Sequence, residues 1–413
     1  MAAALGDPVR HALESVLDAV RDRADGAVAS YIPELAKVEP DQLGAALAST
    51  HGVVHEAGDV EAEFTIQSVS KPFVFALAVD ARGLDEVRTH VDLEPSGEPF
   101  NAISLDEASG RPRNPMINAG AIVMTSLMAG DTADEKFAAV LAGIERFAGR
   151  DLRVDEDVYS SEATTGDRNR ALAYLTRSAG TLGSAVDVAT LAYFRQCSIS
   201  VNARDLAIMA ATLATGGVNP VTGERVISED AARWTTAVMT SCGMYDESGD
   251  WMVRVGLPAK SGVGGGIAAV QPGQFGIGTF SPRLDARGNS VRGVATLELL
   301  SQRHGLHMLQ HHGAPLSPIA SLSRDGSDGS GDTVAMLRGE ILFSEAEEIV
   351  SRLAPLVGDH GCLVLDFTAV TRVAAGSRKI FSALPETMGR LDDGRPRVEV
   401  RDPDGVLAGP AAG

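Results

Sequence analysis

The chain has 413 residues, 44% hydrophobic and 22% charged, with 36 basic against 55 acidic side chains and a net charge of −19. That length predicts two or more domains around a large buried core, and the acidity excludes a nucleic-acid-binding face, which has to be basic. The first 30 residues carry Asp7, Glu14, Asp18 and Asp22 and no apolar stretch of the export-signal type, no apolar run is long enough to span a membrane, and Cys197, Cys242 and Cys362 fit neither a disulfide framework nor a zinc site, so a soluble protein of the reducing cytoplasm is expected.

In chain order, residues 7–23 read as an amphipathic helix. At 64–77 a polar stretch passes into an apolar helix, Phe64-Thr65-Ile66-Gln67-Ser68-Val69-Ser70-Lys71-Pro72-Phe73-Val74-Phe75-Ala76-Leu77. Pro72 is tolerated in a first helical turn, so Ser68 is expected to open this helix, with Lys71 one turn along on the same face. Helices follow at 133–147 and 185–195, then at 203–215 behind a cap at Asn202 and before Gly216-Gly217, and at 229–240 behind a cap at Ser228. Ile267–Val270, Pro272-Gly273 and Phe275–Phe280 read as a hairpin, and 289–307 returns to helix. The expected architecture is α+β, with helices surrounding an antiparallel sheet in a domain spanning 1–311. Residues 321–332 are Ser, Gly and Asp with almost nothing apolar, which places a linker at 312–332. A small α/β unit at 333–413 is expected to contain strands at 333–337, 362–367 and 397–401 and helices at 345–353 and 377–384.

The chemistry concentrates in a few segments. A serine hydroxyl is a poor nucleophile unless a base takes its proton, and a lysine amine of lowered pKa can do so. The helix N-terminus behind Ser68 adds free N–H donors for a developing oxyanion. With only five lysines in the chain, Ser68-Val69-Ser70-Lys71 is of limited weight by itself. Lys260-Ser261-Gly262-Val263-Gly264-Gly265-Gly266, ahead of the hairpin, is the Lys-Ser-Gly partner usual in Ser-x-x-Lys enzymes, and an edge-strand N–H there can complete an oxyanion hole. It lacks the order of a phosphate-binding loop. Tyr245, in Ser241-Cys242-Gly243-Met244-Tyr245-Asp246, falls on a loop after a helix capped by Gly243, where a phenol can relay a proton or can simply be half-buried. Asn118, in Arg113-Asn114-Pro115-Met116-Ile117-Asn118, either caps the next helix or offers a donor–acceptor pair to an amide or amino-acid ligand. Ser160-Ser161-Glu162 and Gly166-Asp167-Arg168-Asn169 read as solvated loops, although Glu162 can meet an ammonium and Asn169 a carboxylate or amide. Tyr193 sits in an apolar helix, where core packing is the default.

Together these runs resemble the serine-dependent glutaminase family over roughly Val20 to His307: Tyr31-Ile32-Pro33-Glu34-Leu35-Ala36-Lys37, Gln67–Pro72, Glu94-Pro95-Ser96-Gly97, Asn114–Ile122, Ser161-Glu162, Gly166–Asn169, Met209–Ala214, Ser241–Asp246 and Gly256–Val263. The resemblance implies a β-lactamase/penicillin-binding-like fold and hydrolysis of L-glutamine to L-glutamate and ammonia without metal or organic cofactor. It implies Ser68 as nucleophile, Lys71 as general base, and Tyr31 and Tyr245 as tyrosines assisting proton transfer. The backbone N–H groups of Ser68 and Val263 would form the oxyanion hole. Gln67, Asn118, Glu162, Asn169, Tyr193 and Tyr245 match substrate-binding positions, which lifts Glu162 and Tyr193 out of their blander readings. A homodimer or homotetramer is the family's usual assembly.

The segment from about Thr333 to Asp402 resembles a STAS domain, on Leu363-Val364-Leu365-Asp366-Phe367-Thr368-Ala369-Val370 followed by Ala374-Ala375-Gly376. That family's phosphorylatable Ser has Ala374-Ala375 in its place here, and Ser377 can cap the next helix, so docking to a protein partner or oligomerisation is the expected role. Two rivals stand beside the enzyme reading. A penicillin-interactive enzyme shares Ser-x-x-Lys and Lys-Ser-Gly but would need an export signal and a Ser-Asp-Asn motif; the only Ser-x-Asn is Ser200-Val201-Asn202. A glutamine sensor signalling through the C-terminal unit would have no need of the Ser68/Lys71 pair.

Overall fold

The computed structural model describes residues 7–96, 103, 105–310, 316–324, 331–357 and 361–408, and the chain divides into two units, Met1–Gln310 and His311–Gly413. The fold is mixed α+β.

Five strands of the first unit form an antiparallel sheet: β1 (Gly44–Ser49), β2 (Val54–Gly58), β6 (Ala259–Ser261), β7 (Gly266–Gln271) and β8 (Phe275–Phe280), in the order β2-β1-β8-β7-β6. The hairpin expected at 267–280 is β7–β8. Its strands and β1 are buried on both faces, which is why they read as small and apolar rather than alternating. Ala45 and Leu47 point toward α1 (Pro8–Val20) and α12 (Val291–His304), packing with Leu13, Val16, Leu17, Leu297 and Leu300. Ala46 and Ala48 point the other way, onto Ala207, Ile208 and Ala211 of α9 (Ala203–Ala214). Sheet and helix nearly touch there: a Cβ at Gly276 would lie 2.0 Å from Ala211 N and one at Gly278 2.1 Å from Ala203 O, so only glycine fits. A small three-stranded sheet pairs β3 (Phe64–Thr65), β5 (Ile199–Val201) and β4 (Arg153–Val154).

The remaining helices of this unit are α2 (Ser70–Arg82), α3 (Leu84–Val87), α4 (Asn118–Ser126), α5 (Ala133–Ala148), α6 (Glu156–Thr165), α7 (Asp167–Ser178), α8 (Val186–Cys197), α10 (Glu229–Cys242) and α11 (Ser248–Arg254). Six helices of the unit, α1, α5, α6, α9, α10 and α12, start from side-chain caps: Asp7, Thr132, Asp155, Asn202, Ser228 and Ser290 each accept a first-turn N–H of the following helix, and Thr132 and Asn202 complete capping boxes with Glu135 and Asp205. Helix α2 is buried nearly all round, from Ser70 through Ala76 and at Ala78 and Val79, and it packs with α5, α9 and α10 in the largest apolar cluster, where the Phe73 and Phe147 rings lie 5.1 Å apart.

In the second unit β10 (Thr333–Ile341), β11 (Leu363–Val373) and β12 (Val398–Arg401) run parallel in the order β12-β11-β10, with α13 (Phe343–Leu353) and α14 (Ala375–Thr387) as crossovers. The linker expectation at 312–332 needs correction. Residues Ile319–Arg324 form a strand, β9, antiparallel to β10 at the sheet edge. Only Ile319 of it is buried, and Leu322 is exposed, so the strand is a short exposed edge whose second half merges into the polar run that follows.

Candidate active site

Ser68 lies in a single 3-10 turn, Gln67–Val69, and α2 proper begins at Ser70, two residues later than the sequence suggests. Gln67 is left-handed at φ 48°, and Tyr245 at φ 56° is the other non-glycine residue with positive φ among the described residues. Each such residue stores about 1–3 kcal/mol of strain, a burden that clusters at functional sites.

Lys71, three residues after Ser68, is buried. Its Nζ donates to Asn118 Oδ1 at 2.6 Å and Met116 O at 3.3 Å, and burial pushes its pKa down to about 8. Asn118 is the first residue of α4 and does not cap it. The helix has no side-chain cap; Asn114 holds the turn ahead of it, accepting from the N–H groups of Met116 and Ile117 at 3.0 and 3.2 Å. That frees the Asn118 amide to hold Lys71 with its oxygen and to donate through Nδ2 to Asn169 Oδ1 at 3.0 Å.

The solvated-loop expectation for 160–162 and 166–169 is overturned. The segments are α6 and α7, separated at Gly166, and Glu162 is only 7% exposed. The α6 start is hidden in Asp155, whose side chain accepts from Asp157 N and Val158 N. Burial raises the Glu162 pKa, while hydrogen bonds from Tyr31 and Gln67 oppose the rise. Tyr31 OH stands 3.2 Å from Gln67 Oε1 and 3.3 Å from Glu162 Oε1, and burial of the hydroxyl end, with the nearby Glu162 charge, pushes its pKa well up. On α8, Tyr193 and Cys197 are one turn apart on one face; burial raises both, Cys197 to about 12, so each is neutral near pH 7.

Tyr245 is in a 3-10 turn after α10. Its hydroxyl donates to Ser261 O at 3.2 Å and engages the Ser68 side chain, and burial pushes its pKa up to about 12. Beneath its ring, 4.1 Å from the centroid, sits Lys260 Nζ, which donates to Ser261 O at 2.7 Å and Gly243 O at 3.0 Å. Val263 follows edge strand β6, and the loop passes so close to β3 that a Cβ at Gly264 would be 2.4 Å from Thr65 O.

Tyr31, Gln67, Ser68, Asn118, Glu162, Asn169, Tyr193 and Val263 line one cavity of about 340 Å³, with Lys71 buried beneath it. Tyr245 lines a second cavity of about 430 Å³ with Asn114, Met116 and Cys242, and meets the first through Ser68. Sequence reasoning missed Thr165, Gly166, Arg168 and Cys197 on the first cavity's wall. Gly166 and Arg168 stood in the Gly166–Asn169 run already singled out, and Cys197 carried a signal in its spacing of four from Tyr193 on one helix. Among the described residues no cluster of three or more His, Cys, Asp or Glu side chains is arranged to hold a metal ion, and no helix is long and apolar enough to cross a membrane.

Residues 26–309, which hold every one of these side chains, match the glutaminase family model. The chain belongs to the glutaminase family. It is 42% identical over 402 residues to a glutaminase of Corynebacterium glutamicum, covering 97% of this chain and 95% of that one. It is 46% identical over 369 residues to glutaminase 1 of Bradyrhizobium diazoefficiens, covering 89% of this chain but 59% of that longer protein. Among solved structures it resembles Mglu, at a TM-score of 0.88 and 40% identity over 97% of this chain and 100% of that one. It also resembles a probable glutaminase from Bacillus subtilis complexed with 6-diazo-5-oxo-L-norleucine, at a TM-score of 0.68 and 36% identity over 74% of this chain and 99% of the other. The enzyme is a glutamine amidohydrolase, converting L-glutamine to L-glutamate and ammonia.

Proposed function

We propose that this glutamine hydrolysis runs through an acyl-enzyme on Ser68, with Lys71 as general base. The observation that carries the reading is the setting of Lys71. A neutral amine has two N–H groups and one lone pair; here the two N–H groups have acceptors in Asn118 Oδ1 and Met116 O, and the remaining lone pair is free for the Ser68 proton. As Ser68 Oγ attacks the side-chain amide carbon, its proton passes to Lys71. The carbonyl oxygen becomes an oxyanion met by the N–H groups of Ser68 and Val263. The amide nitrogen takes a proton from Lys71, with Tyr245 beside Ser68 as relay, and leaves as ammonia. Water, deprotonated by Lys71, then cleaves the ester and releases glutamate.

Substrate recognition falls to the cavity wall. Glu162 meets the α-ammonium; Tyr31 orients Glu162 and Gln67; Asn118, Asn169 and Tyr193 meet the carboxylate and amide. Polar pairing of this kind discriminates strongly, because an ill-matched ligand leaves buried groups unpaired.

The five-stranded antiparallel sheet, with Ser-x-x-Lys opening a buried helix beside its edge strand, supports a β-lactamase-like assignment for the first unit. The parallel β10–β11–β12 core with two crossover helices supports a STAS-like second unit. Its role in that reading is docking or assembly into a homodimer or homotetramer. Phosphate switching is disfavoured, since Ser377 is fully buried, donates to Leu342 O and leaves the α14 cap to Ala374. Three buried, unbridged thiols support a reducing cytoplasmic location.

The test is ammonia release from L-glutamine by wild type and Ser68→Ala, with L-asparagine as control. Release by the wild type alone, with glutamine still binding to Ser68→Ala, is expected. Turnover retained by the variant would exclude Ser68 as nucleophile.

A further inference from the structure

Ser70, between the nucleophile and the base, has no role in the chemistry above, yet it is a polar residue fully buried among apolar helices. Its Oγ donates to Gln67 O at 2.7 Å, and its backbone N–H reaches the same carbonyl. Ser70 Oγ in turn accepts from Gln196 Nε2 at 2.9 Å, and Gln196 Oε1 accepts from Thr125 Oγ1 at 2.7 Å. Gln196 and Thr125 are fully buried as well. With the Thr125 proton on the nearer of its two acceptors, Gln196 Oε1 at 2.7 Å and not Ala121 O at 3.0 Å, the bonds run from Thr125 through Gln196 and Ser70 to the carbonyl of Gln67. The three side chains come from α4, α8 and α2, the helices that carry Asn118, Tyr193 and Lys71.

The relay ends at the left-handed residue that precedes the nucleophile. A glutamine holds such a conformation only where its surroundings over-determine it. Two of those constraints are Ile66 N–H donating to Ile199 O at 2.8 Å and the double grip of Ser70 on the Gln67 carbonyl. Gln196 also lies between Tyr193 and Cys197, both on the cavity wall, so its bond to Ser70 sets α8 against the nucleophile turn. Packing alone does not call for these groups, because apolar side chains of the same shape replace a satisfied buried polar pair with little loss of stability.

We propose that Ser70 and Gln196 are positioning residues, acting through the Gln67 carbonyl to hold the turn that presents Gln67 and Ser68 to substrate. The proposal rests on the assignment of Ser68 as nucleophile. The experiment measures kcat and KM for L-glutamine, and unfolding midpoints, for full-length Ser70→Ala, Gln196→Leu and the double variant, with Ser68→Ala alongside. The double variant leaves no orphaned amide. It is expected to keep the wild-type midpoint while losing about tenfold to a hundredfold in kcat/KM, with KM raised because Gln67 contacts substrate. Each single variant is expected to lose activity in the same direction, Ser70→Ala by removing the side-chain half of the grip on the carbonyl and Gln196→Leu by removing the donor that fixes the Ser70 hydroxyl. A double variant matching wild type in both kcat and KM overturns the proposal. So do activity losses that merely track lost stability, or failure of all three variants to fold, either of which makes the relay a folding element. Turnover surviving in Ser68→Ala would remove the nucleophile assignment instead, and the KM of the relay variants would still report on Gln67.

Discussion

Replacing Lys71 with methionine separates the energetic burden of the proposed general base from its proposed catalytic use. The Lys71 pKa is lowered from 10.5 to about 8 by burial. A shift of that size corresponds to about 3 kcal/mol by which the fold disfavours the protonated amine. At pH 7 the same shift raises the neutral fraction from about one in 3000 to about one in ten, roughly a 300-fold gain in competent base. Between pH 8 and 10.5 the unfolded chain holds a proton at this position that the folded chain has released, so the wild type gains stability as pH rises through that window. Lys71→Met has no such dependence. At pH 7 it escapes the burial cost of the charge but leaves Asn118 Oδ1 and Met116 O without this donor, at about 1–2 kcal/mol together. A net stabilisation of about 1–2 kcal/mol is expected at pH 7, with a kcat at least about a thousandfold lower. By pH 10 the balance between variant and wild type should shift against the variant by about 2.5 kcal/mol. Urea unfolding followed by tryptophan fluorescence reads the relevant unit alone, because Trp234 and Trp251 both lie in Met1–Gln310. A variant-minus-wild-type difference that stays flat from pH 7 to 10 would refute the burial argument, and a kcat loss of only tenfold would assign the base elsewhere.

Other expectations follow from the same site. The kcat/KM of the wild type should climb with pH to a plateau, with an inflection near the Lys71 pKa of about 8, and an inflection below pH 7 would contradict a buried lysine base. Glu162→Gln should raise KM by about tenfold to a hundredfold while kcat changes less, since a charge-assisted bond to the substrate ammonium is lost; unchanged KM would place the ammonium elsewhere. Ending the chain after Gln310 should leave a folded enzyme with wild-type kcat/KM, because the apolar clusters of the second unit draw only on residues of that unit. An insoluble product would show that the two units share a core.

The legible parts of this protein are those governed by near neighbours in sequence. Caps at Asn202 and Ser228, the apolar periodicity of α5 and α8 and the turn at Pro272-Gly273 each act within one or two helical turns or a single hairpin, so their residues announce them. The Ser-x-x-Lys and Lys-Ser-Gly runs were readable for the same reason. Others were not, among them β1, β2, β9, α6 and α7. Edge strand β9 buries only Ile319, so its short apolar content was outweighed by the Ser, Gly and Asp run that follows it. Helix α6 carries Ser160, Ser161 and Thr164 on one side and a single buried carboxylate at Glu162, which looks like a loop until α8 is packed against it.

By itself the sequence determined where the proposed nucleophile, base and phenols stand along the chain, and that helices would enclose a sheet, because motif spacing and polarity are local properties. Tertiary structure alone decided what these groups are electrically. Lys71 has its pKa lowered to about 8 because burial excludes water from it, and Glu162 is a buried carboxylate on a cavity wall because α6 packs against α8 and Tyr31 reaches it from 131 positions away. Desolvation and such long-range hydrogen bonds depend on every chain segment around a group, and no local pattern encodes them.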